Sequence, residues 1–242
     1  MSIIKKIVPT IKINNRRRNI EFATNNLGLK VLSEENAFVF LGGHRDPQKV
    51  LELEEAPSYR NRAVKGPKKL ARLILRVGDA REIENLLATG VAYEQLYQGD
   101  SGYAFEVLSP EGDRFLLHAE EDRNCLSPLE HAPAFQVSHD FKGLSQVSLE
   151  GIELRVPDPE ATQAFYRDLF LDLPLLFFQK GEGEDLQTKA EEVWDLSGLT
   201  FEVEKGELLS LRDRVQGPYF MDKKEQFLQT VDPNQLELWV CR

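Results

Sequence analysis

Hydrophobic and polar positions recur along this chain in a fixed order. Residues 151–178, GIELRVPDPEATQAFYRDLFLDLPLLFF, alternate with period two and pause at Pro157-Asp158-Pro159. They then take a helical period through Phe165 and Tyr166 and return to a strand. A weaker copy opens the chain at residues 7–32, IVPTIKINNRRRNIEFATNNLGLKVL, and a third starts at Leu70 with LARLILRVGDAREIENLLATGVAYEQL. A unit that repeats reports architecture before any single residue reports chemistry.

In the first half the periods predict strands over 7–13, 31–34, 37–41 and 50–54. The helix over 16–26 ends at Gly28, which is free to take a positive φ. A proline-bounded basic connector, 56–69, leads to a strand over 70–77 and a helix over 80–89 capped by Asp79. Strands over 93–98, 102–108 and 114–119 complete the unit, the last two joined by the turn residues Ser109-Pro110-Glu111-Gly112-Asp113. Residues 120–146 follow neither period; they read as a linker with one short strand at Phe135-Gln136-Val137. The second half predicts strands over 152–156, 175–178, 192–196, 200–204, 219–222, 226–231 and 235–240, with helices over 160–170 and 207–214. The class is α+β, as two domains of ordinary size: 1–121 and 147–242, joined by 122–146.

Composition narrows the function classes. The 242 residues are 41% hydrophobic, enough for packed cores, and carry a net charge of −10, which argues against a nucleic-acid partner. No apolar run approaches the roughly 20 residues of a membrane helix, so no membrane partner is expected. The opening MSIIKKIVPTIKI lacks the apolar core and cleavage site of a signal peptide. The expected location is therefore cytoplasmic, and presence at the cell surface would need a non-standard route. Cys125 and Cys241 cannot build a disulfide framework and read as reduced thiols.

The strand–helix–strand signature VPDPEATQAFYRDLF, with SPEGDRFLL at 109–117 and DPNQLELW at 232–239, resembles the vicinal oxygen chelate (glyoxalase/bleomycin-resistance) superfamily. The resemblance implies tandem βαβββ units forming two glyoxalase-like domains, the fourth unit degenerate, with paired units curling around a cup. The layout and the segment IKKIVPTIKINNRRRNIEF are similar to the streptococcal CppA family, which carries the label C3-degrading proteinase. That label implies a peptidase, a hydrolase acting on complement C3.

Metal-dependent members of the superfamily place His, Gln or Glu on first strands and Glu on last strands. Cap and phenylalanine are seven residues apart in both Asn15–Phe22 and Asp158–Phe165. The same step back reaches Val8, Arg72 and Gly151, while the last-strand positions fall on Leu116 and Glu237. Such a set is expected to hold no metal, and no cofactor is expected.

Strand alternation assigns the faces. Ile11, Ile13, Leu73, Leu75, Val77, Ile152, Leu154 and Val156 face the helices. The first cup is expected to hold Lys12, Arg72, Arg76, Arg114 and His118, and the second Arg155, Glu237 and Trp239. A cationic wall in an acidic protein suggests a small anion or an acidic peptide; the alternative is that these side chains reach water or pair with Glu52, Glu54 and Glu106. Gly99-Asp100-Ser101-Gly102 spells a serine-protease nucleophile, but lies between two predicted strands as a hairpin turn. A thiol mechanism would pair Cys125 with His131 or His139. Exposed edge strands point to pairing within or between chains, a homodimer included.

Overall fold

The computed structural model describes residues 3–172 and 175–242. Among the described residues fifteen strands and four α-helices follow in the order β1 (Ile4–Ile13), α1 (Arg16–Asn25), β2 (Lys30–Glu35), β3 (Phe38–Gly42), β4 (Lys49–Glu55), β5 (Leu70–Val77), α2 (Ala80–Ala88), β6 (Gln95–Gln98), β7 (Tyr103–Leu108), β8 (Arg114–His118) and β9 (Ser127–Leu129). The second half continues with β10 (Val147–Val156), α3 (Pro159–Phe170), β11 (Leu176–Lys180), β12 (Leu196–Val203), α4 (Glu207–Arg214), β13 (Tyr219–Met221), β14 (Phe227–Val231) and β15 (Glu237–Cys241). Local chemistry sets the helix starts. The side chains of Asn15, Asp79 and Asp158 accept from the backbone N–H of Arg18, Arg81 and Ala161 at 2.9, 3.0 and 3.0 Å. Gly28 adopts φ +62°, and Leu29 N–H returns to the Ala23 carbonyl to close α1.

Two sheets result. One has eight strands in the order β13-β14-β15-β12-β1-β4-β3-β2, the other seven, β11-β10-β5-β8-β7-β6-β9. The first unit (β1 to β4) joins the fourth (β12 to β15) through the antiparallel pair β1·β12; the second (β5 to β8) joins the third (β10, α3, β11) through β5·β10. Each sheet therefore crosses the linker, whereas the resemblance had implied paired units forming a cup within each half. The third unit stops after two strands and the fourth is complete, the reverse of their relative clarity in the sequence.

α1 and α3 lie between the sheets. α1 sets Ala23 and Leu27 over Ile11 and Ile13 of the eight-stranded sheet and Phe22 against Phe115 of the other, centroids 5.8 Å apart. α3 does the converse: Tyr166 stacks on Phe178 of β11, and Phe170 on Phe201 of β12 at 4.3 Å. The inner faces merge into one core, while Ile74, Ala104 and Leu116 form a small separate cluster on the outer face of the seven-stranded sheet. The predicted helix-facing positions all belong to the inner core.

Two predicted strands change. Residues 135–137 are irregular, because Phe135 turns its ring edge-on to Tyr103 at 5.0 Å while Val137 stays exposed. The linker's strand is β9 instead, added to the edge of β6, where Pro128 does not interrupt a central ladder. The strands expected over 192–196 and 200–204 are one strand, β12. Buried Asp195 fixes its start by accepting from the backbone N–H groups of Lys69, Leu70 and Leu196.

Candidate functional site: two outer sheet faces

The outer face of the eight-stranded sheet is built in rows. Glu52, Thr10, Gly198 and Glu237 are successive cross-strand neighbours on β4, β1, β12 and β15; Val8, Thr200 and Trp239 form the next row, and Lys6, Glu202 and Cys241 the one after. A bulge on β1 between Ile4 and Lys6 turns Lys5 and Lys6 to the same side. A cavity of about 640 Å³ opens there, lined by Lys5, Lys6, Lys49, Val8, Thr200 and Glu202 among others. Lys6 is half-buried, and burial lowers its pKa. Lys49 Nζ sits 3.3 Å from the Phe40 ring centroid. Beyond the cavity, Trp239, Phe227 and Phe220 step outward over β15, β14 and β13, centroids 5.5 and 5.8 Å apart, and Trp239 Nε1 donates to Glu237 at 3.1 Å. Predicted Lys12 shares this face with Thr10 but is buried and held by Glu54 at 3.4 Å.

The outer face of the seven-stranded sheet gathers Arg72, Arg76, Arg114 and His118, and here the cations are paired. Arg72 makes two hydrogen bonds to Glu153, 2.8 and 3.2 Å, and one to Glu106, which also takes Arg114 at 2.9 Å. Arg76 reaches Glu121 at 3.5 Å. Arg155 donates to the carbonyls of Lys68 and Leu70. The open cationic cup expected from the sequence is thus a neutralised network, split from Lys12, Glu237 and Trp239 by the crossed pairing. Glu106 is a partner the alternative reading named; Glu153 was not named as one but was legible, since it alternates onto the same face as the arginines. Arg123 was not, because it comes from the linker: its guanidinium lies 5.0 Å from the Phe177 ring and within 4.0 Å of Glu150 and Glu153. Leu126 covers Ile74, Ala104 and Leu116. Residues 122–129 therefore strap this face.

His118 is fully buried under the strap. Its Nδ1 accepts from Glu120 N–H at 3.2 Å, which leaves the proton on Nε2, 3.1 Å from Glu150 Oε2 but poorly aligned with it. Burial, with Arg123 and Arg76 nearby, lowers the pKa of His118 to about 4, and burial raises that of Glu150.

Among the described residues no hydrogen bond joins the peptidase candidates Ser101, Cys125 and His131 to one another. Ser101 sits at the β6–β7 hairpin, closed by Gly99 N–H to the Gly102 carbonyl, and its backbone N–H donates to both oxygens of Glu120 at 2.9 Å. A backbone hydrogen bond from Asp100 favours the Cys125 thiolate, but burial and Glu120 outweigh it and push the thiol up, the opposite of an activated nucleophile. His131 is exposed in the irregular linker, and among the described residues no hydrogen bond joins it to Ser101 or Cys125. Nor do the carboxylates suit the divalent ion of the fold's metal-dependent members: Glu52 and Glu237 share a row, but Thr10 and side-chain-free Gly198 stand between them. Among the described residues no three His, Cys, Asp or Glu side chains converge as a metal site.

Known structures place this architecture. A putative dioxygenase from Bacillus subtilis matches the whole chain over 86% of its own length at 10% identity and TM-score 0.65. A glyoxalase I mutant from Zea mays matches 99% of the chain over 94% of its own at 12% identity and TM-score 0.59. The chain thus has the glyoxalase-like, vicinal oxygen chelate fold. A CppA protein from Streptococcus pneumoniae is far more similar, 40% identical over 99% of both chains with TM-score 0.92; the CppA N-terminal model matches residues 6–129 and the CppA C-terminal model residues 144–240. The chain belongs to the CppA family. No curated protein matches it.

Proposed function

We propose that this CppA-family protein is a metal-free binding protein that takes an anionic ligand on the outer face of its eight-stranded sheet. The observation carrying this reading is the cavity of about 640 Å³, where Lys6 and Lys49 face one lining carboxylate, Glu202, while Lys5 is paired with Glu204 at 3.1 Å. Among the described residues neither Lys6 nor Lys49 has a carboxylate within ion-pair distance, whereas the arginines of the opposite face are matched. Unmatched positive charge in a concave, partly desolvated site attracts anions. Titration calorimetry with citrate and inorganic phosphate tests it: binding weakened by Lys6→Glu and Lys49→Glu is expected, and unchanged binding would refute the site.

The C3-degrading proteinase label is the second reading, and family membership is its support. Digestion of purified C3, read as new termini by mass spectrometry, decides it. Wild-type cleavage that disappears in Ser101→Ala/Cys125→Ala would establish an intrinsic peptidase. Cleavage that vanishes on repurification would assign the activity to a companion.

A further inference from the structure

Resting on that reading, we infer that the ligand of the lysine cavity carries a flat apolar body beside its anionic group. The two chemistries adjoin on the page. Thr200 and Cys241 line the cavity, and their cross-strand partners are Trp239 and Phe227. Phe220 continues the series to the sheet edge. Trp239 is 36% and Phe220 56% exposed, although nearby inward positions such as Leu228, Leu238 and Val240 are fully covered. Trp239 and Phe220 are exposed and Phe227 between them is half-buried; the core does not require these rings, and their transfer from water is favourable only when something covers them.

Geometry limits what that is. Adjacent strands lie about 4.8 Å apart, so rings on β13, β14 and β15 offer a platform about 10 Å long. Strands β13, β14 and β15 carry no lysine, Lys223 and Lys224 lying in the β13–β14 turn, while the cavity lysines sit at the inner end on β1 and β4. A bound molecule therefore directs its anionic group inward to Lys6 and Lys49 and lays its apolar body outward over Trp239 and Phe227. Two or three fused or linked rings fill that length. Trp239 also offers a reporter: of the two tryptophans, Trp194 is tied to the Ala56 carbonyl away from this face.

The test uses the full chain with 1-anilinonaphthalene-8-sulfonate, its uncharged counterpart N-phenyl-1-naphthylamine, and inorganic phosphate, read by tryptophan fluorescence and calorimetry. The sulfonate is expected to bind saturably at one site and about tenfold tighter than either other probe. Phe227→Leu and Trp239→Leu are expected to weaken it about five- to tenfold without changing phosphate binding, the range of a lost ring contact. Lys49→Glu should weaken both anions. Phosphate binding as tight as the sulfonate, with no effect of the ring variants, would overturn this inference and leave the anion site standing. Equal binding of the uncharged probe would also overturn it. Failure of both anions to bind would remove the inference together with the reading beneath it.

Discussion

Single residues under the strap set a pH dependence. His118 faces Arg76, Arg123, Glu120 and Glu150 and stays neutral in the fold down to about pH 4, against roughly 6.5 for an unfolded histidine. Between those values the unfolded chain takes up a proton that the folded chain refuses. This contribution to stability is therefore whole above pH 6.5 and falls as pH drops toward 4, by ~3 kcal/mol at most. Melting temperatures of wild type and His118→Gln, compared from pH 7.5 to 4.5, should diverge in slope, with the variant the flatter; parallel profiles would contradict the assignment. Glu120 acts differently: Glu120→Ala leaves the Ser101 N–H without either acceptor and should cost about 2 kcal/mol in denaturant unfolding, while Ser101→Ala, which keeps that N–H, should cost little.

At the scale of elements, the sequence was legible wherever a period ran long enough. β5 and α4 have the predicted bounds, and the other helices differ by a residue or so, because caps such as Asp79 and Asp158 are local chemistry. The strap was not legible. Three residues of β9 have no period, and what holds them is a neighbour's edge together with Leu126 on a three-residue apolar patch. Leu126→Ala should speed amide hydrogen exchange within 122–129 and along β6, leaving the eight-stranded sheet unchanged. A global increase would mean that the strap belongs to the core rather than lying on it.

For the whole molecule, the repeat foretold four units but not their partners. β1, β5, β10 and β12 all present an apolar inner face and a mixed outer one, so pattern alone does not choose between neighbours in sequence and neighbours across the linker. The candidate site inherits this: Lys6 and Lys49 meet Thr200 and Trp239 only through β1·β12. Residues 1–121 and 147–242, produced separately, should each remain poorly folded by circular dichroism and regain a cooperative transition when mixed. A cooperative, monomeric half on its own would contradict the dependence of each sheet on both.

The crossed pairing also bears on synthesis. Val8 and Thr200, paired in the sheet, are separated by roughly 190 residues. At about 5–20 residues per second a ribosome needs about 10–40 s to supply the partner. During that interval the edge of β1 is bare, while β5 waits only for β10, whose Val147 pairs with Val77; contacts of long sequence separation form slowly even once both strands exist. The nascent chain is thus an obvious client for a holding chaperone, and a message truncated after the linker would release two open strand edges with nothing in the same polypeptide to close them.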